Sequence, residues 1–246
     1  MSIFTIADLH LSTNESTNKS MEVFGRRWKD YVEKMKHNWN SLVTSDDTVI
    51  IPGDISWAMT LKEATQDLLL LDSLPGKKII GKGNHDFWWA TMSKIGSFFE
   101  ENDIRSIRCL YNNAFLVEEL VICGSRGWFN DESLNGIPEN TDYEKIVNRE
   151  VMRLKISLED GKRFPVELER VAFLHFPPLF RDFRCQEIIH VLKEYGVRRC
   201  FYGHIHGCYD QPSSFLDDGI TYTLISADHL NFIPRKITSL SENQNI

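Results

Sequence analysis

Asp, His and Asn residues recur in short clusters along the chain: Asp8-Leu9-His10, Gly53-Asp54, Gly83-Asn84-His85-Asp86, a lone His175, and Gly203-His204-Ile205-His206. Carboxylate, imidazole and amide oxygen are together the donors that borderline divalent metals such as Mn, Fe, Zn and Ni take. In extended chain, residues i and i+2 point the same way, so Asp8 with His10, and His204 with His206, are expected to converge in pairs. Asn84 and His85 are neighbours and are expected to face different tasks. Glycine before Asp54, Asn84 and His204 is expected to allow tight turns there. Taken singly the short motifs mean little: this composition produces a DxH about 0.55 times and an HxH about 0.26 times by chance. Gly-Asn-His-Asp is expected only about 0.002 times, so the ordered set carries the signal.

Each cluster follows a short apolar run of strand length. Ile3 to Ala7, Thr48 to Ile51, Lys78 to Ile80, Val171 to Leu174 and Arg199 to Tyr202 precede the five in turn. In open α/β folds ligands bind just beyond the C-terminal ends of strands, which is where these polar residues stand. Further strands are expected at Val121 to Cys123, Tyr222 to Ile225 and Phe232 to Ile237. Between the strands, apolar residues recur at helical spacing. Phe24, Trp28, Tyr31, Val32, Met35, Trp39 and Leu42 read as one face of a long helix. Thr60 with Glu63 is a capping-box pattern that would open a helix through Leu61, Ala64, Leu68 and Leu71. Further helical stripes are Trp88, Met92, Ile95 and Phe99; Tyr143, Ile146, Val147, Val151 and Leu154; and Ile188, Ile189, Leu192 and Tyr195 before Gly196. Ser12 to Ser20 and Asn130 to Asn140 read as loops. Regular strand–helix alternation without a linker or internal repeat predicts an α/β sandwich in one domain over residues 1–246.

Composition removes several function classes. The 246 residues are 42% hydrophobic and 26% charged, ordinary globular values that exclude disorder, collagen and coiled coil. No apolar run approaches the ~20 residues of a membrane span, and Met1 leads straight into Ile3-Phe4-Thr5-Ile6 without a basic region. The expected location is therefore the cytoplasm, with no membrane partner. A net charge of −7 argues against a protein that binds nucleic acid by neutralising phosphates. Five cysteines without a CxxC pair fit reduced thiols better than a disulfide framework or a zinc ribbon.

The clusters resemble the signature of the calcineurin-like metallophosphoesterase superfamily, which runs D-x-H, G-D, G-N-H-D/E, a lone His, then G-H-x-H. Every element is present in order between Asp8 and His206. The resemblance implies a four-layer α/β/β/α sandwich with two mixed sheets and a dinuclear metal centre. It implies Asp8, His10 and His206 as ligands of one divalent ion, Asn84, His175 and His204 as ligands of the other, and Asp54 as the bridge. Manganese, iron, zinc and nickel all suit such donors. It further implies His85 near the leaving group, with Asp86 behind it. The expected reaction is hydrolysis of a phosphate mono- or diester, in which a hydroxide bridging the two metals attacks phosphorus. His85, as an imidazolium favoured by Asp86, would protonate the departing oxygen.

Substrate contacts are less sharply marked. Arg126, between Gly124 and Gly127 after a strand, could fork onto a phosphate or carboxylate, with Trp128 beside it. Trp57, Met59, Trp88 and Trp89 follow motif residues and suit either a substrate pocket or core packing beneath the site. Arg26 and Arg27 are weaker candidates. Three function classes stay open. The leading one is a phosphoesterase acting on a small molecule or a phosphoprotein. A nuclease of the same superfamily is the second, although such enzymes usually add a basic region. A non-catalytic metal-binding interaction module is the third. The residues set neither the substrate nor the oligomeric state.

Overall fold

A computed structural model describes residues 1–14, 19–128 and 142–239. The first strand, β1 (Ile3–Thr5), is followed by α1 (Tyr31–Leu42), β2 (Thr48–Ile51), α2 (Thr65–Ser73), β3 (Lys77–Ile80), α3 (Met92–Glu101) and β4 (Ile107–Cys109). Then come β5 (Phe115–Val117), β6 (Leu120–Ser125), α4 (Tyr143–Asp160), β7 (Glu169–Leu174), β8 (Leu179–Phe180), β9 (Phe183–Arg184), α5 (Gln186–Glu194) and β10 (Arg199–Tyr202). The series closes with β11 (Ser214–Asp217), β12 (Ile220–Leu224) and β13 (Arg235–Ile237).

Two mixed sheets result. One runs β13-β1-β2-β3-β4, with β1 to β4 parallel and β13 antiparallel. The other runs β11-β12-β10-β7-β6-β5, with parallel pairing from β12 through β6 and antiparallel edges at β11 and β5. Strand residues alternate between two cores because successive side chains leave opposite faces. Val49 and Ile51 of β2 enter the core beneath α1 to α3, whereas Ile50 enters the core between the sheets. Likewise Val171 and Phe173 of β7 face the other sheet, while Ala172 and Leu174 pack beneath α4 and α5. Three separate cores therefore divide the chain into the expected α/β/β/α layers. Both faces of the central strands are buried, which is why they read as continuous apolar runs rather than as alternation.

The sheets are stitched together at the ends of β1 and β12. Ala7 N–H donates to Ile225 O at 2.8 Å and Ala227 N–H donates to Ala7 O at 2.8 Å. This join brings the C-terminal strand ends of both sheets to one rim.

Several local expectations are corrected. The stripe from Phe24 to Leu42 is not one helix: two 3-10 turns, Met21–Phe24 and Arg26–Trp28, precede α1. Gly25 at φ 114° and Asp30 at φ 53° break the run, and Phe24 is left exposed. Thr60 and Glu63 do not open α2, which begins at Thr65. Glu63 N–H donates to Thr60 Oγ1 at 3.2 Å, but the Glu63 carboxylate returns to Met59 N rather than to Thr60 N. Trp88 lies outside α3, whose N-cap is Thr91. Strands β4, β5, β8, β9 and β11 were not expected, being short and only partly buried. The expected loop at Asn130 to Asn140, and residues 15–18 within the loop at Ser12 to Ser20, lie outside the described residues. All five cysteines are free thiols, and no helix among the described residues is long and apolar enough to cross a membrane.

Candidate metal centre

The rim collects Asp8 and His10 after β1, Asp54 after β2, Asn84 and His85 after β3, His175 after β7, and His204 and His206 after β10. Asp8, His10, Asp54 and His175 are buried, whereas Asn84, His85, His204 and His206 are partly open. The pairs do not converge through strand alternation. Asp8, His10, Asp54 and His204 take φ of 59°, 45°, 52° and 70°, the left-handed region that side chains other than glycine enter at a cost of roughly 1–3 kcal/mol each. Left-handed turns therefore aim these groups. Two of the glycines also act otherwise than expected. A Cβ on Gly83 would lie 2.0 Å from Asp54 Oδ1, and one on Gly203 would lie 2.5 Å from Asp8 Oδ2. What Gly83 and Gly203 supply is room for a carboxylate.

Two groups of donors each gather within 4.8 Å: Asp8, His10 and His206, and Asp8, Asp54 and His175. His10 Nε2 and His206 Nε2 stand 3.1 Å apart. Two nitrogens each bound at about 2.0–2.1 Å to one ion have about this separation. Asp54 Oδ2 lies 3.7 Å from His10 Nε2 and 3.6 Å from His175 Nε2, midway between the groups. Asp54 Oδ1 is held elsewhere, by the His85 N–H at 2.8 Å. Asn84 Oδ1 is 2.6 Å from His175 Nε2. Asp8 accepts the His204 N–H at 3.0 and 2.9 Å on its two oxygens, and its Oδ1 lies 3.6 Å from His175 Nδ1. The His204 ring belongs to neither group. It stands 5.3 Å from the His175 ring and packs edge-on against Phe176 at 4.5 Å.

The electrostatics describe a site short of positive charge. Burial pushes Asp8 up to about 6, against the lowering influence of His206. Burial, then the charges of Asp86 and Asp8, raise Asp54 well above the carboxylate range. Burial and neighbouring histidines hold His10 and His175 well below their ordinary value, and hold His204 down to about 3. These histidines are neutral imidazoles with lone pairs to give, and the buried Nδ1 atoms of His10 and His175 have no hydrogen-bond partner. Buried carboxylates beside neutral imidazoles and an amide oxygen fit divalent cations.

Asp228, past the end of β12, went unnoticed in the sequence. Its Oδ1 is 2.8 Å from His206 Nδ1, and its Oδ2 accepts from Gly207 N–H at 3.1 Å and Tyr209 O–H at 2.9 Å. A carboxylate on the far nitrogen of a metal-ligating histidine fixes its tautomer and orientation. Although burial opposes it, the Asp228 hydrogen bond and the Asp8 and Asp228 charges raise His206 above its ordinary value. The rule that found the other residues, a polar group just past a strand end, would have found this one too. Arg27 bonds the carbonyls of Asp228 and His229 and lies over the Tyr209 ring at 4.1 Å, bracing the same segment.

The expected support of His85 by Asp86 is corrected. Asp86 accepts Gly83 N–H at 2.7 Å, Asp54 N–H at 2.8 Å, Ile55 N–H at 2.8 Å and Ser56 N–H at 3.3 Å, with Trp88 Nε1–H at 3.0 Å. It ties the loops after β2 and β3 together and has no bond to His85. Instead His85 packs on Trp57 at 4.2 Å between ring centroids, and Trp57 stacks on His10 at 4.9 Å. Burial, with the charges of His206 and Lys19 adding, lowers His85 to about 4. The imidazolium expected of it is therefore absent at neutral pH in this structure. Trp88 is core, as its 1% exposure shows. Trp128 turns to Phe176 at 5.7 Å and to the core beneath the second sheet. Arg126 stays at the rim: its charge acts on Asp54 and His175, and its NH2 lies 3.6 Å from the buried Glu150.

Residues 1–208 match the family model described as calcineurin-like phosphoesterase. The chain belongs to this family. Its class of activity is accordingly phosphoester hydrolysis, and its Asp and His groups are of a kind that could hold metal. No curated protein matches the chain significantly. Among solved structures it is similar to the phosphopantetheinyl hydrolase PptH from Mycobacterium tuberculosis, at 15% identity over 96% of this chain and 95% of that one, with a TM-score of 0.54. It is also similar to TT1561 of Thermus thermophilus, at 12% identity over 92% and 89%, again with a TM-score of 0.54. At such identities the likeness concerns the fold alone.

Proposed function

We propose that this protein is a dinuclear metal-dependent phosphoesterase that hydrolyses a small organic phosphate ester, with His85 as proton donor to the leaving oxygen. The observation that carries the reading is the position of Asp54 Oδ2, nearly equidistant from His10 Nε2 and His175 Nε2. Asp8, His10 and His206 would hold one divalent cation, and Asp54 and His175, with Asn84, the other. His204, whose amide anchors Asp8, stands beside the second set with its ring 5.3 Å from that of His175. Bound cations supply Lewis-acid polarisation of the phosphate and make water acidic enough to ionise near neutral pH.

The remaining work falls to the chain. Asp228 keeps His206 Nε2 turned inward by accepting from Nδ1. Trp57, stacked on His10 and packed at a tilt against His85, shields the site from bulk water and fixes the His85 ring. As water oxygen bonds to phosphorus the ester P–O bond breaks, and the departing oxygen takes its proton from a His85 ring nitrogen. The negative charge of the arriving phosphate favours the protonated ring and offsets the burial that depresses His85. The net charge of −7 favours a small substrate over nucleic acid. The test is His85→Ala assayed with manganese on p-nitrophenyl phosphate and bis(p-nitrophenyl) phosphate. Turnover should fall by ~10²–10⁴ while bound manganese stays at the wild-type stoichiometry. Unchanged turnover removes His85 from the reaction, and loss of manganese reassigns it to the metal site.

A further inference from the structure

Beside the metal centre lies a cavity of about 540 Å³, within the range of small-molecule sites. Five cationic side chains line it: Lys82, Lys94, Arg126, Arg149 and Arg153. They come from separate elements, namely the loop after β3, helix α3, the loop after β6 and helix α4. Among the described residues, the carboxylate paired with the three arginines is Glu150, which is fully buried. One oxygen of it, Oε1, serves three guanidinium groups: Arg153 NH1 at 2.7 Å, Arg126 NH2 at 3.6 Å and Arg149 Nε at 3.6 Å. Each guanidinium offers five N–H donors, so one oxygen leaves most of them unused. Arg126 Nε is buried without a partner. Holding such like charges together is costly without an anion, the more so in a chain whose total charge is −7.

The cavity adjoins the proposed reaction site through Arg126 and through the loop after β3. Lys82 immediately precedes Gly83-Asn84-His85, and Trp89, Ala90 and Thr91 follow the same loop into the cavity wall. Arg126 faces the cavity while its charge reaches Asp54 and His175. Arg126 thus sets the cationic cavity on the Asp54 and His175 side of the site, with the Trp89 and Tyr111 rings on the cavity wall. Planar guanidinium forks suit phosphate oxygens in bidentate pairs.

We propose that this cavity binds a second phosphate of the substrate, so that the substrate class is a small organic diphosphate or bisphosphate. This rests on the phosphoesterase reading above, and the experiment separates the two. Full-length protein stripped of metal by a chelator is titrated with inorganic pyrophosphate by calorimetry, so that metal makes no contribution. The double variant Lys94→Gln/Arg149→Gln removes two exposed cations and leaves Arg126 and Arg153 to neutralise Glu150. Pyrophosphate should bind the wild type, and this variant should weaken it at least about tenfold. The control Arg184→Gln removes an exposed cation that pairs with Asp217 elsewhere and should change nothing. Absence of pyrophosphate binding, or equal binding to the double variant, overturns the assignment. Tighter binding of a single-stranded oligonucleotide that the same substitutions weaken also overturns it, giving the cavity to a nucleic-acid backbone. Manganese binding to wild type and to Asp54→Asn is measured in parallel. Its failure in the wild type would sink the metal-centre reading and leave the anion result standing.

Discussion

Gly83→Ala puts the geometry of the site to a sharp test, because it adds one carbon and no charge. The new Cβ would lie 2.0 Å from Asp54 Oδ1 and 2.3 Å from Asp54 N. Real Cβ atoms essentially never approach another heavy atom within 3.0 Å, so the carboxylate must retreat by about 1 Å. Metal sites tolerate ligand displacements of only about 0.2 Å. Asp54 cannot retreat freely, because Oδ1 holds the His85 amide and Asp86 holds the Asp54 amide. Manganese affinity should therefore fall by about 10- to 100-fold, the usual scale for disturbing a ligand's support. Overpacking should cost about 1–3 kcal/mol, which lowers the melting temperature of a chain this size by roughly 2–12 °C. Gly96→Ala is the matched control, since it lies exposed within α3 and its Cβ would meet nothing within 4 Å. It should gain about 0.5–1 kcal/mol from helix propensity. The assays are manganese calorimetry and thermal unfolding with and without the metal. Wild-type manganese affinity in Gly83→Ala would refute the placement of Asp54 as a ligand.

Asp228→Asn should reduce manganese affinity about 10- to 100-fold by replacing the charged acceptor on His206 Nδ1 with a neutral amide, and calorimetry on the folded variant reads it directly. Asp86→Ala strands five buried N–H donors and should cost at least about 3 kcal/mol in a denaturant titration, whereas His85→Ala should cost less than about 1 kcal/mol; similar losses would show that Asp86 is not the tie between the loops. In metal-free protein, Asp8 is raised to about 6 from 3.8, so the folded state keeps a proton that the unfolded chain releases. Its contribution therefore declines as pH rises from about 4 to about 6, by about 3 kcal/mol. The stability difference between wild type and Asp8→Asn should show that slope without manganese and lose it with manganese. A difference independent of pH refutes the assignment.

The candidate metal donors were legible because the expected chemistry demands particular atoms, and those atoms come from few residue types. Strand ends were legible for a related reason: strands buried on both faces must be apolar, so the first polar residue after each run marks the rim. That logic reached Asp8, Asp54, Asn84 and His175 without coordinates, and it could have reached Asp228. It could not say how the side chains would be aimed. The convergence of Asp8 and His10 depends on left-handed φ angles held by the join between β1 and β12, and that join links residues more than 200 positions apart. Nor could local pattern separate Asp86 from His85. Adjacent in sequence, they point apart, one to a row of backbone amides and the other to Trp57.

Residue types and spacing by themselves determined an α/β sandwich and the rim on which the candidate donors stand, while the layer order and the reaction class followed from the resemblance of the ordered motifs to a known family. Only the tertiary structure decided which donors share an ion-sized space, which carboxylate serves the fold, and that five cations from four elements line one cavity, three of them paired with the buried Glu150. Those outcomes depend on distances between segments remote in sequence, which are set by how the two sheets pack and twist together rather than by any single segment.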